Sequence, residues 1–161
     1  MKQDIIIRRW LLFFMVVLVI SGATAIPAES ELAFATRMIP MGTIVGDWLD
    51  KVYLSVLHQN LHYPWLAYGY DWLAFAHFVL AILFIGPLKD PVRNKWVIEF
   101  GMIACLLVIP FALIAGYMRG LPLWWRLVDC SFGVAGLIPL RIVLHRIQLL
   151  ELSNQNGNDE D

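Results

Sequence analysis

The stretch WVIEFGMIACLLVIPFALIAGYM, residues Trp96–Met118, carries one charge, Glu99, in 23 positions. At about 1.5 Å rise per residue, a helix of that length matches a hydrocarbon core about 30 Å thick. Inside such a core every backbone N–H and C=O must be satisfied internally, which leaves a helix as the solution for a single apolar run.

Two further runs of the same kind flank it, Trp72–Pro87 and Leu127–Leu144, broken only by His77, Asp129 and Arg141. The whole chain of 161 residues is 60% hydrophobic and 16% charged. Soluble domains run near 25% charged and 45–50% apolar. The expected fold is therefore all-α: a polytopic integral membrane helical bundle forming one membrane domain over 1–161. Its spans are expected at 71–87, 96–118 and 127–145, with a first at 9–26. The net charge of −1 and the lack of a basic stripe interleaved with aromatics argue against a nucleic-acid partner.

The first segment supports two readings. Lys2, Arg8 and Arg9 precede Trp10–Ile20, which has no polar residue, and Ser-Gly-Ala-Thr-Ala-Ile-Pro comes next. It is either a retained first span, giving four transmembrane helices, or a secretory signal peptide cleaved after Ala23-Thr24-Ala25, giving three. Both place the chain from Glu29 onward outside until the next span. The cytoplasmic segments then hold Lys2, Arg8, Arg9, Lys89, Arg93, Lys95, Arg141 and Arg146, and the external ones Arg37, Lys51, Arg119 and Arg126. That asymmetry obeys the positive-inside rule and sets the N-terminus inside and the C-terminus cytoplasmic. The polar, acidic end, 153–161, reads as a disordered cytoplasmic tail.

Residues 27–70 form the one substantial extracytoplasmic loop. Within it, 43–62 has helical periodicity, with Val45, Trp48, Leu49, Val52, Val56 and Gln59 on one face. This predicts an amphipathic helix lying on the outer leaflet or capping the bundle. Trp65, Tyr68, Tyr70 and Trp72 succeed it as an interfacial aromatic belt.

The topology gathers Asp71, Arg119, Arg126 and Asp129 at the external rim, beneath His58 and His62. Charges at a bilayer boundary pair or snorkel, so these six either pin helix ends through ion pairs or line a polar pocket. His58 and His62 are spaced i, i+4, as zinc sites use, and Asp71 is the third candidate metal ligand. The motif is H-Q-N-L-H, without the glutamate of H-E-x-x-H.

His77 stands alone inside its span. A b-type haem wants two axial ligands and His145 sits at the opposite bilayer face, so haem is disfavoured and a hydrogen-bonded packing role preferred. Glu99 and Arg141 lie at matched depth on neighbouring helices and are a candidate structural ion pair. Cys105 and Cys130 differ in depth by on the order of 10 Å, too far for a disulfide.

There is no G-x-S-x-G, no phosphate-cradling glycine loop and no C-x-x-C. No catalytic residue is nominated and no cofactor is expected, with a metal left open. The expected function is a non-enzymatic accessory, scaffold or partner-binding component of the membrane. The alternative is a membrane enzyme or a ligand- or metal-binding protein using the rim residues. The expected partners are the lipid bilayer and other membrane subunits or a second copy, in the inner membrane of a bacterium.

Overall fold

The structure, a computed structural model, describes the backbone of residues 2–158 and the side chains of 5–152. Every regular element among them is helical: α1 (Lys2–Ala25), α2 (Ala28–Met38), α3 (Ile44–His62), a 3-10 turn (Pro64–Ala67), α4 (Tyr68–Leu83), α5 (Ile85–Lys89), α6 (Lys95–Met118) and α7 (Leu123–Asn158). Among the described residues four stretches are long and apolar enough to cross a membrane: Ile5–Ala25, Pro64–Lys89, Lys95–Met118 and Leu123–Leu152. All four begin before the sequence-based limits, and the second and last also end beyond them. α7 carries its helical backbone through 153–158, where composition predicts a disordered tail, while 159–161 lie outside the described residues.

The chain forms two compact units, one of Met1–Val16 with Ile82–Asp161 and one of Val17–Ala81. The first is built on an antiparallel pair, α6 against α7. Gly101 meets Leu140, Cys105 meets Gly133 and Gly136, and Gly116 meets Arg126. A Cβ at Gly133 would sit 2.5 Å from the Cys105 carbonyl oxygen, so the two backbones touch there. Small residues that admit such contact replace the hydrophobic drive that helix pairs lack in lipid. The α7 seam runs through Arg126, Cys130, Gly133, Leu140, Ile147 and Glu151, at steps of three and four or their sum.

α1 joins this unit through Ile7, Leu11 and Phe14, all buried at i, i+4, i+7 spacing. Phe14 lies 4.9 Å, ring to ring, from Phe84, the buried residue at which the helix breaks between α4 and α5. Phe84 in turn packs on Gly101. α6 continues through Pro110 and α7 through Pro139, each losing one backbone donor. α6 ends in a Schellman motif: Gly120 takes φ 70°, Leu121 N–H donates to Gly116 O at 2.9 Å and Gly120 N–H to Tyr117 O at 3.1 Å.

In the second unit α2 packs on α3, and Asn60 Nδ2 donates to Glu29 Oε2 at 2.7 Å. The loop expected over 27–70 contains α2, which several sequence signals announce. Glu29 and Glu31 sit in its first turn and Arg37 in its last, complementing the helix dipole. Ala28, Leu32 and Ala35 recur at i, i+4, i+7 and are half-buried, a stripe too short to stand out in a helix of 11 residues. Thr43 caps α3 by accepting from Gly46 N–H at 3.0 Å. Leu49 is buried and Trp48, Asp50, Val52, Val56 and Gln59 are half-buried, while Val45 in the first turn is exposed. Gly22 of α1 receives His77 of α4 at 2.8 Å from where a Cβ would stand.

Candidate functional site

The rim residues fall into both units and behave individually. Asp71 is exposed in the first turn of α4, where a carboxylate faces the positive end of the helix dipole. Arg119 is exposed at the α6 C-cap, where a cation faces the negative end. Asp129 is half-buried on α7.

Arg126 is the most constrained of the set. Its Cγ and Cδ lie over Gly116, its Nη1 reaches the Leu113 carbonyl at 3.4 Å, and its guanidinium stands 5.8 Å from the Tyr117 ring centroid. Its Nε is buried without a hydrogen-bond partner. The side chain clasps α6 to α7 through its stem and a cation–π contact. Arg119, Asp129 and Asp71 make no ion pair among the described residues.

His58 and His62 are brought together. Their rings stack at 4.1 Å between centroids, and His62 Nδ1–H donates to the His58 carbonyl at 2.9 Å. Both residues are exposed. Asp71 does not complete a triad with them: among the described residues no three His, Cys, Asp or Glu side chains are grouped to hold a metal. His77 is half-buried, and its Nδ1–H donates to the Leu73 carbonyl at 2.8 Å one turn earlier. Its packing on Gly22 gives it a structural place. Cys105 and Cys130 are both free, and Cys130 Sγ–H donates to Ile109 O at 3.7 Å.

At the other end of the α6·α7 pair, Glu99 and Arg141 are not joined. Both are exposed, and neither makes an ion pair among the described residues. The seam at that level is filled by Val97, Ile98, Gly101 and Leu140, which leaves Glu99 and Arg141 off it. The bridge that does span the helices there is Lys95 Nζ to Glu151 Oε2, at 2.7 Å. Glu151 lies beyond the last span expected from the sequence, so matching charges by depth within the spans passes it over.

On α7 an open concavity of about 370 Å³ is lined by Arg141, Ile142, Leu144, His145, Arg146 and Gln148. Arg141, His145 and Gln148 are exposed at i, i+4, i+7, one residue round the helix from the buried seam. The i, i+4 pairing of Arg141 with His145 is readable in the sequence; that it faces away from α6 is not.

Comparison with known protein families, curated proteins and solved structures finds no match to this chain.

Proposed function

We propose that this chain is a non-enzymatic integral membrane component that acts by binding a partner through its α2–α3 hairpin. The observation that carries this reading is the apolar surface of that hairpin. It lies outside the four apolar spans, yet Phe34, Met38, Met41, Ile44 and Leu61 are exposed, Ile44 by 80% and Met41 by 70%. Large apolar side chains left exposed outside a span suit a surface that protein or lipid covers. Methionines suit such a surface because their unbranched chains adapt to a partner. The Glu29–Asn60 hydrogen bond supports the hairpin as one preformed element.

The first segment is read as a retained fourth span. Ile7, Leu11 and Phe14 belong to the core of their unit, and cleavage after Ala25 would remove all three. The excess of Lys and Arg near one end of the spans favours the N-terminus and the C-terminus in the cytoplasm. A bacterial inner membrane is the setting this orientation fits.

A photo-crosslinking residue at Met41, tested against one at Glu31, checks the partner reading in native membranes. The expected result is a discrete adduct from position 41 and none from 31. A chain that crosslinks from neither position and leaves mild detergent as a lone monomer would overturn it. Mass spectrometry of the same preparation reports the mature N-terminus.

A second reading rests on the stacked pair His58 and His62, whose i, i+4 geometry chelates a transition metal when a partner supplies further ligands. Metal content of the purified protein, with and without His62→Ala, tests it.

A further inference from the structure

We propose that Arg141, His145 and Gln148 of α7 form a binding site for a phosphate-bearing anion, supplied by the headgroup of an anionic lipid. The site depends on the membrane-spanning reading of α7.

Three observations converge on it. The first is the concavity itself, about 370 Å³, with donors on three successive turns of one helix face. The second is that these donors are unspent. Arg141, His145 and Gln148 have no hydrogen bond or ion pair among the described residues. The one carboxylate nearby in sequence on α7, Glu151, is held by Lys95 at 2.7 Å, and Glu99 is not part of the lining. A guanidinium with no carboxylate to neutralise it is a fork suited to phosphate oxygens. His145 and Gln148 add N–H donors below it.

The third observation is depth. Trp124 and Trp125 open α7, and paired tryptophans settle at a membrane interface. From Trp125, Arg141 is 16 residues on and Gln148 is 23, or about 24 and 35 Å at 1.5 Å per residue. The stripe therefore straddles the far boundary of a hydrocarbon core about 30 Å thick, where lipid phosphates lie. Ile142 and Leu144 supply apolar walls beside the cations, which a lipid's glycerol and upper acyl chain would use and a free phosphate would not.

The test uses the full chain extracted in mild detergent. Native mass spectrometry tracks retention of phosphatidylglycerol against phosphatidylcholine, and calorimetry tracks inorganic phosphate. Wild-type protein should retain phosphatidylglycerol in preference. Arg141→Gln should weaken that retention about fivefold, the effect of one cation at a membrane surface. Arg141→Lys, which keeps the charge and loses the fork, should fall between. Lys89→Gln, an exposed cation of the same unit outside the concavity, should change retention little.

Saturable binding of inorganic phosphate that Arg141→Gln abolishes would show that the phosphate group alone suffices. Binding of the lipid without phosphate competition would assign the site to the headgroup in its membrane setting. Equal retention by wild type, R141K and R141Q, or an equal loss in K89Q, would overturn the proposal. A chain that stays in solution without detergent would instead overturn the membrane reading, so the two failures are distinguishable.

Discussion

Two arginines on α7, fifteen residues apart, meet opposite fates. Arg126 lies on the seam: its stem crosses Gly116, its guanidinium reaches Leu113 O, and the Tyr117 ring stands beside it. Arg141 lies one position off the seam, exposed and without a protein partner among the described residues. The difference is made by what faces each on α6. Opposite Arg126 a glycine leaves a trough in which a long aliphatic stem can lie. Near Arg141 the trough at Gly101 is already filled, by Leu140 from α7 and by Phe84. A cation is structural where a small residue receives it and available where the seam is filled by carbon.

The contrast can be broken hardest at the seam itself. Gly133→Val would drive a side chain into the Cys105 carbonyl, 2.5 Å from the new Cβ, and backbone cannot retreat as a side chain can. A loss of about 3 kcal/mol is expected, read by denaturant titration of tryptophan fluorescence in detergent. Next comes Arg126→Ala, which empties the trough over Gly116 and removes the contact to Leu113 O. It should cost about 1–2 kcal/mol in the same assay, and Arg126→Met should recover part of it through the stem alone.

Gly116→Ala probes the same contact from the other side. The new methyl meets Arg126 Cγ and Cδ most closely, at 2.5 and 2.7 Å, and a flexible stem can move. About 1 kcal/mol is expected, and less than additive loss when combined with Arg126→Ala. Lys95→Ala removes a half-buried ion pair and should cost about 0.5 kcal/mol, shrinking as salt is raised. Arg141→Ala should change stability by no more than about 0.5 kcal/mol. A large loss there would make Arg141 structural and erase the distinction between the two arginines.

Much of this architecture is legible in one dimension. The apolar runs mark the spans because length and charge content are one-dimensional properties, and Gly133 and Gly136 announce a smooth helix face. The helical run of α3 is legible in its spacing, but its buried side is less so: Val45 is exposed and Asp50 half-buried. What the sequence conceals is registry between helices. Glu99 and Arg141 match in depth but depth does not specify azimuth, and the bridge goes to Lys95 and Glu151. The candidate metal triad illustrates the same gap. His58 and His62 meet because local spacing forces them together, whereas Asp71 sits on another helix whose position no spacing rule gives. α2 escapes for another reason: its half-buried stripe of Ala28, Leu32 and Ala35 spans only 11 residues and holds one large apolar side chain.

Cys105 presents both its carbonyl and its sulfur to the glycines of α7, and Cys130 sits buried with its thiol on the Ile109 carbonyl. The pair thereby supplies two built-in clocks on one interface. Alkylation of Cys130 proceeds only when α7 lifts from α6, so its rate in the folded protein measures the free energy of that opening. Cys105, half-buried, starts the count at a shallower excursion. Ordered labelling, Cys105 before Cys130, would show the helices parting gradually from the glycine contact outward, and simultaneous labelling would show them parting as one body.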